Sequence, residues 1–128
     1  MPEDVADSVS KKPDPRTDSW SASEQLIAEF PDLLSEAFEV SLMPGWLSIA
    51  RTCCDALQRL DPDVRIHQLK EKFGGLRVYL KHGNAQLWTT IDAAEHLSFR
   101  TCQQCGATPA SARMERHWIK TLCEECAK

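Results

Sequence analysis

An α+β fold is predicted, with N-terminal helices, a central β-hairpin, a further helix and a C-terminal zinc ribbon docked on one small core. Three observations predict it. Apolar residues recur at helical spacing over 46–60, two short strand-like segments flank Lys72-Phe73-Gly74-Gly75, and the cysteines follow C-x2-C-x17-C-x2-C. The 128 residues suffice for one compact domain but not for two full cores.

Residues 1–20 are rich in Pro, Asp, Ser and Lys with little to bury, and are expected to be a disordered tail. Order begins at Ser21, which with Glu24 fits the S-x-x-E capping box. Leu26, Ile27 and Phe30 follow on that helix. Pro31 is placed as the first residue of a second short helix through Leu33, Leu34, Ala37 and Phe38. After the boundary at Pro44-Gly45, Trp46, Ile49, Cys53, Leu57 and Leu60 form one apolar helix face. Cys53 and Cys54 read as core thiols, since adjacent cysteines in a helix do not readily close a disulfide and a small thiol packs well.

Asp61-Pro62-Asp63 ends that helix, and strands are expected over 64–70 and 76–81. Leu76, Val78 and Leu80 should face the core, with Arg77, Tyr79 and Lys81 turned away. The paired glycines are expected to supply the positive backbone angles of the hairpin turn. A helix over 85–99, carrying Leu87, Trp88, Ile91, Ala94 and Leu97, leads directly into the cysteines. The chain thus divides into a helical and β-hairpin domain over 21–99 and a zinc ribbon over 100–128, docked rather than tethered.

Cys102, Cys105, Cys123 and Cys126 carry the strongest signal. Two residues between cysteines let a tight turn aim both sulfurs at one ion, and Gly106 suits the close backbone approach after the second ligand. Four thiolates complete a tetrahedron and leave no coordination position for substrate, so a structural Zn²⁺ is expected. An iron–sulfur cluster also uses four cysteines, and redox C-x-x-C pairs need a strand-to-helix setting that neither pair has. Met114, Trp118, Ile119 and Leu122 are the only large apolar residues offered as a core between the pairs, and His117 is surplus as a ligand.

The net charge of −4 does not fit a general nucleic-acid binder. Glu24, Glu29, Asp32, Glu36, Glu39 and Asp55 load the first half, against Arg51 and Arg59. No apolar stretch approaches the length of a membrane span, and the N-terminal residues lack the order of a secretory signal, so the expected location is cytoplasmic, where thiols stay reduced. No Walker, G-x-S-x-G, H-E-x-x-H or deaminase H-x-E pattern occurs, and a non-enzymatic role is expected.

The order of features resembles a group of small, largely uncharacterised bacterial and phage-encoded proteins. The resemblance rests on Gly45-Trp46, the run Glu71-Lys72-Phe73-Gly74-Gly75-Leu76-Arg77, Ala94-Glu95 with Ser98, Thr101-Cys102, Cys105-Gly106, and Trp118 with Thr121-Leu122-Cys123 and Cys126. It spans about residues 45–127 and departs at Ala107-Thr108-Pro109 and His117. It implies a fold unit and brings no agreed activity.

In the hairpin, Lys70, Lys72, Phe73, Arg77 and Tyr79 are candidate partner-binding residues: a basic strip with stacking surfaces, as single-stranded nucleic acid requires. The favoured reading is architectural, with Phe73 folded over the turn into the core and Arg77 paired with acids of the first helices. For the whole chain the expectation is a non-catalytic, zinc-stabilised protein-binding module, in one form a toxin-neutralising immunity protein whose acidic half meets a basic toxin. The alternative is a nucleic-acid-binding regulator using the basic hairpin and the ribbon.

Overall fold

The structure, a computed structural model, describes residues 20–128; the tail expected over 1–20 lies outside the described residues except for Trp20. Helix α1 (Ala22–Glu29) opens on the predicted box, with Ser21 Oγ accepting from Glu24 N at 3.1 Å and Glu24 Oε1 accepting from Ser21 N at 3.0 Å.

The second short helix does not form. Residues 31–36 are successive turns, closed by Leu34 N to Phe30 O at 3.1 Å and Ser35 N to Asp32 O at 3.3 Å. Two competitors explain this. The Ser35 hydroxyl donates to Asp32 O at 2.8 Å, a local alternative to helix bonding. Phe38 N is meanwhile captured by His67 O at 3.1 Å, which draws the chain into strand β1 (Glu39–Val40). Leu33 and Leu34 are buried, as an apolar turn against the core.

A 3₁₀ turn (Pro44–Trp46) precedes α2 (Leu47–Leu60), whose buried face is Ile49, Ala50, Cys53, Cys54 and Leu57. Leu60, expected on that face, is 40% exposed because it is the helix's last residue, where the chain turns off at Asp61. Strands β2 (Ile66–Lys72) and β3 (Gly75–Leu80) pair antiparallel, while β1 lies parallel on the other edge of β2, with Glu39 opposite Gln68. Leu76, Val78 and Leu80 are buried as their alternation requires.

The turn differs from expectation. Lys72 pairs with Gly75, so the two-residue loop is Phe73-Gly74, at φ 54° and 82°. This is the double positive-φ geometry that suits strand twist, and Phe73 adopts it without being glycine. Gly75 is required for another reason: a Cβ there would stand 2.5 Å from the Phe99 ring. Helix α3 (Ala85–Ser98), capped by Asn84 Oδ1 accepting from Leu87 N at 3.0 Å, buries Leu87, Ile91 and Ala94 against the sheet and α2. Beyond it lie β4 (Ser111–Glu115) and β5 (Trp118–Leu122), a two-stranded ribbon, and the short α4 (Glu124–Ala127). No helix among the described residues is long and apolar enough to cross a membrane.

Candidate metal centre

The four predicted cysteines converge. Their sulfurs all lie within 4.8 Å of one another, and Cys105 Sγ stands 3.7 Å from Cys123 Sγ. A tetrahedral ion with metal–sulfur bonds of about 2.3 Å separates its ligands by roughly 3.8 Å, so this edge already has the spacing of a metal-bound pair. A disulfide would need a sulfur separation of about 2.05 Å. The donor set therefore fits one metal ion held by Cys102, Cys105, Cys123 and Cys126.

Each pair is shaped by backbone. Gly106 N donates to Cys102 O at 2.9 Å, and Gly106 takes a φ of 84°, closing the first knuckle. Cys123 is the N-cap of α4, which brings Cys126 back beside it, with Ala127 N donating to Cys123 O at 3.0 Å. Gln103 joins the knuckles: its backbone N donates to Thr121 O, and its side-chain Oε1 accepts from Thr121 N, both at 2.9 Å.

Electrostatics favour a cation here. Burial raises the Cys102 thiol, but the backbone N–H groups of Cys123, Cys105 and Gln104 outweigh it and draw the pKa down to about 6. The neighbouring sulfur of Cys102, followed by those of Cys105 and Cys123, pushes Cys126 up to about 12. One thiolate is thus prepared by the fold, and four together need a positive ion at their centre. Cys53 and Cys54 lie apart on α2, both buried; burial raises Cys53 to about 11 and raises Cys54 as well.

The centre is bolted to the main core. Gly45 N donates to Gln103 O at 2.9 Å, and Trp46 Nε1 donates to Thr101 O at 2.8 Å. A Cβ on Gly45 would fall 2.0 Å from Cys102 O, so only glycine permits this approach. From the other side, Thr121 Oγ1 donates to Gly74 O at 2.5 Å. No sequence pattern marks Gln103 as a link between the knuckles. Gly45, Trp46, Gly74 and Thr121 share a second role, which spacing does not announce: they hold the ribbon.

The candidate partner-binding residues share the hairpin but not one environment. Lys70 and Arg77 pair across β2 and β3, and Tyr79 lies opposite Gln68 on the same outer face. Arg77 is committed to Glu95 of α3 at 2.6 Å, not to the first helices, and lies 5.8 Å over the Phe99 ring. Phe73 does not enter the core: it is 63% exposed at the turn, with Lys72 Nζ 5.6 Å above its ring. Met114 and Trp118 likewise build no core between the cysteine pairs, because a lone two-stranded ribbon has no second layer to cover them. Leu122 alone of the four is buried, packed with Cys102 and Cys123. His117 is exposed in the ribbon turn.

Comparison of the chain with protein-family models, with curated proteins and with solved structures found no match.

Proposed function

We propose that the chain is a non-catalytic protein-binding module of the reducing cytoplasm, stabilised by one structural Zn²⁺ on Cys102, Cys105, Cys123 and Cys126. The observation that carries this reading is the all-thiolate cluster, whose donors fill a tetrahedron and are fixed by the contacts that hold the ribbon to the core. Zinc suits four sulfurs at tetrahedral spacing, and its binding energy orders a segment with little apolar core of its own. Exposed Phe38, Phe73, Met114 and Trp118 supply the large apolar contacts that protein interfaces use.

The toxin-neutralising version calls for a basic partner on the acidic half. That half is mostly self-satisfied: Glu29 binds Arg51, Glu36 binds Lys81, Asp55 binds Arg59, Glu39 accepts from Gln68, and Glu24 serves its cap. Glu24, Asp32 and Glu39 form no ion pair among the described residues, but nothing in that half selects a toxin over any other basic protein, and the more general module is the better reading. Elemental analysis of purified protein should find one zinc per chain and no iron, and the protein should bind neither DNA nor RNA at low salt, where phosphate contacts are strongest. Tight low-salt binding to oligonucleotides would replace this reading with the nucleic-acid one.

A further inference from the structure

Building on the protein-binding reading, we propose that the turn of the β2–β3 hairpin and the end of the β4–β5 ribbon it packs against form its docking surface, and that the partner is a protein whose apolar cleft is rimmed by carboxylates.

Exposure marks the place. Met114 is 69% and Trp118 71% exposed, and together with Phe73 they put three of the most exposed large apolar side chains at one end of the molecule. The hairpin turn lies against strand β5, at Ile119 and Thr121. A Cβ at Gly74 would lie 3.4 Å from Ile119 Cγ2, and Ile119 pairs directly with Met114, so Phe73, Ile119 and Met114 border one side. Trp118 pairs with Glu115 and so lies on the opposite face of the ribbon. The ribbon end is therefore apolar on both faces, a wedge suited to a cleft and not to a flat surface.

Backbone strain points to the same place. Among the described residues, the non-glycine positions with positive φ are Phe73 at 54° and Arg116 at 58°, one at each tip. Bulky side chains are costly in that region and persist where something requires them. Each strained turn displays an exposed ring or cation and buries neither.

Charge selects the partner. Lys72 and Arg116 have no carboxylate partner among the described residues, nor does Arg113, which donates to Leu122 O at 3.3 Å, whereas Glu29, Glu36 and Asp55 of the helical half are ion-paired. Unpaired cations around apolar anchors call for an acidic rim. A nucleic-acid strand fits less well: stacking needs aromatic faces along one side, Met114 and Trp118 face opposite ways, and the chain's charge of −4 opposes polyanions.

The test is a photo-crosslinking amino acid placed at Trp118, at Met114, and at Gln58 on α2 as a control, in cells that naturally make the chain. The expected adduct is a protein captured from the two tip positions through a segment flanked by Asp or Glu. That protein, purified, should then bind the wild-type chain with an affinity that falls as salt rises. W118S and R116E should each weaken binding by roughly 30-fold or more at unchanged zinc content, while Q58K leaves it within about twofold. A protein captured only at Gln58, a captured segment that is basic, or tip variants that bind normally would overturn the docking surface and leave the protein-binding reading standing. Nucleic acid on the tip, or no adduct at any position, would overturn both.

Discussion

Trp46 Nε1 donates a 2.8 Å hydrogen bond to Thr101 O, across 55 residues of sequence and immediately before the first cysteine ligand. Both groups are buried, and Trp46 is fully enclosed. Replacing Trp46 by Phe leaves the Thr101 carbonyl without its donor. The expected cost is about 1–3 kcal/mol in urea unfolding, with metal content unchanged in elemental analysis.

Gly45→Ala should be worse than its one methyl group implies. The new Cβ would collide with Cys102 O, which is main chain and fixed by the knuckle. We expect a loss of about 3 kcal/mol or more, at the upper end of overpacking costs, together with weaker metal retention in competition with a chelating dye. Gly83→Ala is the informative contrast: there the neighbour is the partly exposed Trp88 side chain, which can rotate away.

The six cysteines should divide four and two in thiol titration. Native, metal-loaded protein at pH 8 should react slowly at every cysteine. A strong chelator should release four reactive thiols, while Cys53 and Cys54 stay silent until denaturant is added, because burial keeps both protonated. Thermal unfolding should shift down on metal removal. Saturation at a thousand times Kd alone contributes about 4 kcal/mol.

The same buried thiols set an alkaline limit. Cys53 rises from its ordinary value near 9 to about 11 in the folded chain, so folding favours its protonated form. That contribution is fully present below pH 9 and is lost as pH climbs through 11. Cys53→Ala should flatten the decline in stability between those two values in unfolding curves taken at a series of pH values.

Phe73→Asn should stabilise the chain by about 0.5–1 kcal/mol, since Asn tolerates the left-handed turn and little packing is lost from an exposed ring. A loss of more than 1 kcal/mol would mean that the ring carries structural weight in the isolated molecule.

The convergence of the four cysteines, the capping box, α2, the alternation of β3 and the docking of the ribbon were legible from short-range pattern. Each depends on spacing alone: S-x-x-E, a period of 3.6 or 2, or C-x-x-C. The misses share a cause. At residues 31–36 local helix preference lost to a strand contact, Phe38 with His67, that is remote in sequence. At Phe73 the turn register followed from the pairing of Lys72 with Gly75, which glycine content alone does not fix. Met114 and Trp118 are apolar yet exposed, because the ribbon offers nothing to bury them against. Gln103 gave no signal, since its bonds to Thr121 exist only once both knuckles are in place.

Much of the grip on the cysteine segment falls on main-chain oxygen, at Thr101, Gln103 and Gly74. Carbonyls are the same whatever side chain stands beside them. In the exposed loop Ala107-Thr108-Pro109, only the backbone of Ala107 joins the cluster, its O accepting from Cys102 N and its N–H meeting the Cys105 sulfur, so the loop is free to change in residue identity. An affinity tag or fluorophore inserted after Thr108 should leave the metal cage and its seat intact, which makes that loop the natural handle for following the molecule in cells.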